Sequence, residues 1–206
     1  MQIKTISVGP VETNCYIVTD NMGRGIIIDP GFEAWKIEEK IEKDYKIDYI
    51  VLTHLHFDHF LAAKKIKEKT NAKIIIHEID ALGLENPNLN LLSRFDDLGE
   101  QLINTDIKVN EQTILKVGDL TLKFLHTPGH TKGSMCILID NAIFSGDTLF
   151  RLNIGRTDLP GGNMNEMLNS LKKLFELEKD YDVYPGHMEK TTLFFERENN
   201  PYYNHN

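Results

Sequence analysis

Apolar and polar residues alternate through much of the first third of the chain, which predicts strands over residues 2–8, 14–19 and 25–29, the last closed by Pro30-Gly31. The period then changes. Ile37 and Ile41, one helical turn apart, predict a helix over 33–45, followed by a short apolar strand over 48–53. A helix over 60–70 and a strand over 73–77 complete a βαβ-like unit. From 84 to 110 the pattern fades into polar, asparagine-rich sequence that reads as a functional loop or lid, or as a weakly marked helix. Strands resume at 113–117, 120–127, 134–139 and 142–144, and 155–162 is a loop rich in Gly and Pro. Asn163, with Glu166 three residues on, marks a helix start, and Met164, Met167, Leu168, Leu171, Leu174 and Phe175 form its apolar stripe. One more strand runs into Pro185-Gly186, and a last helix covers 191–199. No repeat or linker interrupts this order. The expectation is one α/β domain over 1–206, an αββα sandwich of two mixed β-sheets with helices outside.

Composition narrows the function classes. With 206 residues, 41% hydrophobic and 26% charged, the chain matches a soluble globule large enough to bury a core. No apolar run approaches the roughly 18 residues of a membrane span, and Met1-Gln2-Ile3-Lys4 leads into a strand without a signal region. A cytoplasmic protein with no membrane partner is expected. The net charge of −8 argues against a nucleic-acid partner, which would need a basic face. It leaves room for an anionic small molecule, because a bound metal reverses the field locally. Cys15 and Cys136 sit inside apolar runs without Cys-x-x-Cys spacing, and are expected to be unbridged core residues.

The chemistry is concentrated in the histidines. His54, His56, His59, His130 and His187 all fall in loops just after predicted strands, as do Asp58 and Asp147. Ligands gathered at strand ends rest on rigid supports. In extended chain His54 and His56 point the same way and can grip one ion, and a turn before the helix at Phe60 redirects Asp58 and His59 to a second point nearby. Imidazole with carboxylate suits zinc, iron or manganese. Pro128-Gly129-His130 and Pro185-Gly186-His187 repeat one device, a Pro-Gly turn that aims a single side chain, and Asp147 is the carboxylate best placed to bridge two ions. His77 and His126 read as hydrogen-bonded structural residues, and His205 as part of the tail.

Thr53-His54-Leu55-His56-Phe57-Asp58-His59, with His130, Asp147 and His187 and an early Asp29-Pro30-Gly31, resembles the metallo-β-lactamase superfamily across nearly the whole chain. Gly146-Asp147-Thr148-Leu149-Phe150, followed by Ile154-Gly155-Arg156-Thr157-Asp158, is most similar to short glyoxalase II-type proteins, the hydroxyacylglutathione hydrolases. The resemblance implies two divalent ions, zinc before iron or manganese. His54, His56 and His130 would hold one ion, and Asp58, His59 and His187 the other, with Asp147 between them. Asp29 and Thr53 would orient ligands. A bridging hydroxide would then attack a thioester whose thiol, with a pKa near 8.5, leaves without a general acid. Asp58 and Asp147 would thus be catalytic as well as ligands, and Arg156 would bind the carboxylate of an anionic thioester substrate. The alternative for Arg156 is a surface pair with Asp158.

The sequence departs from the glyoxalase II pattern at His187-Met188-Glu189, where that family has His-Glu-Tyr, and it stops soon after His187, where longer glyoxalase II enzymes carry an additional C-terminal helical domain whose basic residues hold glutathione. The same seven-residue pattern also resembles persulfide dioxygenases, in which His54, His130 and Asp147 would form a single-iron triad, and a lactonase is a further alternative.

Overall fold

The computed structural model describes residues 1–95 and 103–203, so His205 and part of 84–110 lie outside the described residues. Strands β1 (Gln2–Val8), β2 (Thr13–Thr19), β3 (Arg24–Ile28), β4 (Lys46–Val51), β5 (Lys73–His77) and β6 (Ile107–Val109) pair in that order, antiparallel as far as β3 and parallel beyond it. A second sheet contains β7 (Ile114–Val117), β8 (Leu120–His126), β9 (Met135–Ile139) and β10 (Ala142–Gly146). It continues through β13 (Asp182–Pro185), parallel to β10, and β14 (Thr191–Thr192). Between β10 and β13 the chain adds a two-stranded ribbon, β11 (Leu149–Phe150) and β12 (Asn153–Ile154).

Strand periodicity explains the layering. In β2 and β3, Val18, Ile26 and Ile28 face the second sheet, where they meet Leu122, Phe124, Ile137 and Phe144. Their neighbours Ile17 and Ile27 point the other way, against α1 (Ala34–Glu38) and α2 (Ala63–Thr70). The outer face of the second sheet buries Cys136, Ile143 and Val183 under α4 (Met164–Phe175) and α5 (Leu193–Asn199). Both sheets are thus covered on both faces, which is why β2 reads as an unbroken buried run. This is the expected αββα sandwich: two mixed sheets flanked by helices. Cys15 and Cys136 are buried and unbridged.

The structure departs from the sequence reading where apolar pattern was thin. The helix over 33–45 ends at Glu38, because Ala34 and Ile37 are its only buried side chains and Trp35 is exposed. Turn hydrogen bonds from Lys40 and Ile41 replace it. The α4 stripe is narrower than predicted, with Met164 and Leu168 exposed. Within 84–110 the described part is mostly turns, with a short 3₁₀ turn at Leu92–Arg94 and the edge strand β6. The ribbon β11–β12 and the one-turn helix α3 (Glu78–Ala81) carry no periodic signal at that length.

His77 caps α3, its Nδ1 accepting from Ile79 N at 3.3 Å, and its ring stacks 4.3 Å from His126. Burial and the neighbouring His126 push the His77 imidazole down to about 4. A histidine lowered in the folded state binds its proton first in the unfolded chain. Its contribution is therefore fully present above about pH 6.5 and lost as pH falls toward 4. His77→Asn keeps a capping group without the titration. Urea unfolding at pH 7 and pH 5 should show a smaller acid loss in this variant than in the wild type; an equal loss would clear His77 of the role.

At the same edge of the first sheet, Gly31 packs against the carbonyl of Asp58, and Ala62 N donates to Pro30 O at 2.9 Å. A Cβ on Gly31 would collide with that carbonyl, so Gly31→Ala should cost about 1–3 kcal/mol in chemical unfolding. A midpoint that does not move would mean the two loops separate freely.

Candidate metal centre

Five chain segments that leave strand ends meet at one edge of the sandwich. The chain passes Asp29 after β3, Thr53 to His59 after β4, and Thr127 to His130 after β8. It returns with Asp147 after β10 and His187 after β13. After β4 the backbone stays extended through His56 (ψ 144°) and then makes a single 3₁₀ turn, Phe57–His59, which swings Asp58 and His59 away from the His54–His56 direction. All seven residues singled out in the sequence come together. His54, His56 and His130 bring ligand atoms within 4.8 Å of one another, and so do Asp58, His59 and His187. A third group, His54, His59 and Asp147, overlaps both and was not foreseen. Asp147 Oδ1 is 3.5 Å from His59 Nε2, while Oδ2 is 3.4 Å from His130 Nε2 and 3.6 Å from His187 Nε2.

Hydrogen bonds fix which nitrogen each ring turns inward. His130 Nδ1 donates to Arg156 O at 2.7 Å, and His187 Nδ1 donates to Val11 O at 3.0 Å, since a carbonyl can only accept. His59 Nδ1 is 2.9 Å from Asp29 Oδ2. The Thr53 hydroxyl donates to the same carboxylate at 2.6 Å and so accepts from His54 Nδ1 at 3.1 Å. In all four rings it is Nε2 that faces the site, and in His54 and His59 it has no partner among the described residues. His56 differs, with its Nδ1 2.8 Å from His130 Nε2.

Among the described residues, His54 Nε2, His56 Nε2, His59 Nε2 and Asp147 Oδ1 are buried with no hydrogen-bond partner. Buried polar atoms are rarely orphaned, and three of these belong to the overlapping group. Protonation tells the same story. Burial opposes charge on His59, yet Asp58, Asp29 and Asp147 raise it to about 10. Burial drives His54 and His56 well down, with neighbouring imidazoles adding to the effect. Asp58 is held well below the usual carboxylate range: burial would raise it, but His59 and His187 outweigh that. A site that draws a proton between its carboxylates and starves adjacent imidazoles of theirs is matched to cations. Imidazole and carboxylate together suit divalent metals.

The cluster floors a cleft of about 460 Å³, walled by Phe57, Leu91, Phe95, Phe150, Leu159 and Met188, with Arg94, Asn153 and Arg156 as polar edges. Arg156 reaches this cleft, but its guanidinium already forks onto Asp158 (2.8 and 2.7 Å) and is largely exposed. Its firmest link to the metal residues is its backbone carbonyl. His77 and His126 join none of the three groups; His126 Nε2 donates to Lys132 O at 2.9 Å. Sequence reasoning missed Asn14 and Tyr16, whose side chains donate to Pro185 O (3.0 and 2.6 Å) and hold the His187 turn. It also missed the cleft walls at Leu91, Arg94 and Phe95, which lie in the weakly patterned 84–110 stretch.

No helix of the described chain is long and apolar enough to cross a membrane. The chain is 34% identical to the probable metallo-hydrolase YqgX of Bacillus subtilis, over 99% of this chain and 98% of that one. It is 32% identical to the hydroxyacylglutathione hydrolase GloC of Haemophilus influenzae, over 99% of each. Among solved structures it is similar to BLEG-1, a B3 metallo-beta-lactamase (TM-score 0.87, 32% identity, 98% of this chain and 99% of that one). It is also similar to TTHA1623 in a di-iron-bound form (TM-score 0.82, 31% identity, 97% and 99%). The family model described as the metallo-beta-lactamase superfamily matches residues 8–187, which run from the end of β1 to His187, and the chain belongs to that superfamily.

Proposed function

We propose that the chain hydrolyses an anionic thioester of the hydroxyacylglutathione type with two divalent metal ions, zinc in the first instance. In this reading His54, His56 and His130 would hold one ion and Asp58, His59 and His187 the other, with Asp147 available to both. One observation carries it: the group Asp58–His59–His187 stands beside His54–His56–His130, and a one-ion triad would leave it without work. The name of GloC, similar along its full length, supports the substrate class. When bound, such ions supply Lewis acidity and lower the pKa of water toward neutrality.

The rest is done by the chain. Asp29 fixes His59 directly and His54 through Thr53, so the rings need no reorganisation during turnover. Thr13 Oγ1 donates to Asp58 Oδ2 at 3.4 Å and steadies that carboxylate. Phe57, Phe95 and Phe150 keep water from the acyl portion, and Arg94 and Arg156 offer positive charge at the rim. A thiolate leaves readily, which fits a site where His59 and His187 hold Asp58 ionised and so not available as an acid.

Asp147→Ala should lose thioesterase activity and bound metal while circular dichroism stays native, because its loss leaves imidazoles facing two cations with less negative charge between them. Turnover unchanged with full metal content would remove Asp147 from the site. Oxygen uptake with glutathione persulfide at one iron per chain would replace the hydrolase reading altogether.

Arg156→Ala should cost about 1.5–3 kcal/mol in kcat/KM, seen mainly as a raised KM, if the arginine exchanges Asp158 for a substrate carboxylate. A thioester lacking that carboxylate is the control. Equal losses on both substrates would assign Arg156 to the loop.

A further inference from the structure

Asp80 is a buried carboxylate that the scheme above does not use. It sits on α3 at 1% exposure and is not itself one of the residues that line the catalytic cleft. Its Oδ2 accepts from Leu55 N at 3.1 Å and from Thr131 Oγ1 at 2.6 Å, and its Oδ1 accepts from Gly133 N at 2.6 Å. Leu55 separates His54 from His56, and Thr131 follows His130. Ser134 Oγ, 2.7 Å from Thr131 Oγ1, donates to it and completes the chain of hydroxyls. Gly133 has no room for a Cβ, which would strike Asp80 itself.

A buried carboxylate without a cation is costly unless its hydrogen bonds are all made. Among the described residues no lysine, arginine or histidine forms an ion pair with Asp80. Burial accordingly raises its carboxyl to about 6, against the pull of its three donors. Every donor comes from one of the two loops that carry His54, His56 and His130. The carboxylate is satisfied only when both loops stand in one register. Asp29 performs no such service for His56 or His130, since its bonds go to Thr53 and His59.

Resting on the dinuclear reading, we propose that Asp80 is a positioning residue that locks the His54–His56 loop to the His130 loop and so fixes these three imidazoles as one ligand set. It touches neither ion nor substrate. Its effect therefore belongs to metal geometry and affinity, and not to any proton it could transfer.

The test uses cobalt(II) as probe in the full-length protein freed of metal. Asp80→Ala should weaken cobalt binding on the order of 10- to 100-fold in chelator competition and alter the visible d–d bands, with native circular dichroism. Asp80→Asn, which keeps the shape but turns an amide N–H₂ toward a donor, should fall between. Thr131→Val, which removes one hydroxyl bond, should shift affinity and bands in the same direction, and Thr131→Ser should restore them. If the Asp80 variants do not fold, the Thr131 pair carries the test. Wild-type cobalt affinity and spectrum in folded Asp80→Ala, or in Thr131→Val, would overturn the proposal. A wild-type chain that binds no cobalt would instead overturn the dinuclear reading beneath it.

Discussion

Bringing His54, His56, His59 and His130 into one buried place leaves the Nε2 atoms of the first three with no protein partner among the described residues, beside carboxylates at Asp58 and Asp147 that attract positive charge. Each unpaired buried polar atom costs about 1–3 kcal/mol. The surrounding structure exists to hold that arrangement without collapse. Ring after ring is held from behind by a carbonyl or by the Asp29–Thr53 pair, so the unsatisfied face is turned inward and kept there. Local instability at the site is offset by the three apolar layers, and it is what makes the site receptive to cations.

The architecture follows from the same need. Ligands from five loops can meet within a few ångströms only if their strands end at one edge and the sheets cannot shear. Covering both faces of both sheets secures the second condition, and parallel β3–β4–β5 with β10–β13 secures the first by pointing successive loops the same way. Close approach at Gly31, Gly133 and Gly186 lets those loops touch backbone to neighbour with no side chain between them.

What the sequence made legible was whatever carries a strong local signal. Runs such as 25–29 and 142–144 announce strands, found at Arg24–Ile28 and Ala142–Gly146, and five histidines after strand ends announce a site. The extended-then-turn reading of His54 to His59 matches the observed backbone. Signals that need a partner in space were not readable. Asp80 looks like any surface acid in Glu78-Ile79-Asp80 until Leu55, Thr131 and Gly133 are folded onto it. The Asp158 fork that occupies Arg156, though local in sequence, depends on a loop conformation that residue types alone leave open. The helix expected over 33–45 was drawn from two isoleucines, too few to sustain one without a longer buried stripe.

The bond from Asn14 to the carbonyl of Pro185 joins residues 171 apart in the chain. The turn that presents His187 is therefore clasped by the β1–β2 hairpin, far from it along the chain. During synthesis, the early segments emerge with His54, His56, Asp58 and His59 in hand but wait for the last strands before the seventh donor arrives. Contacts of such long separation form late and slowly. On the two-ion reading proposed above, capture of the second ion would wait for that clasp, and occupancy of the centre would report that the whole sandwich has closed.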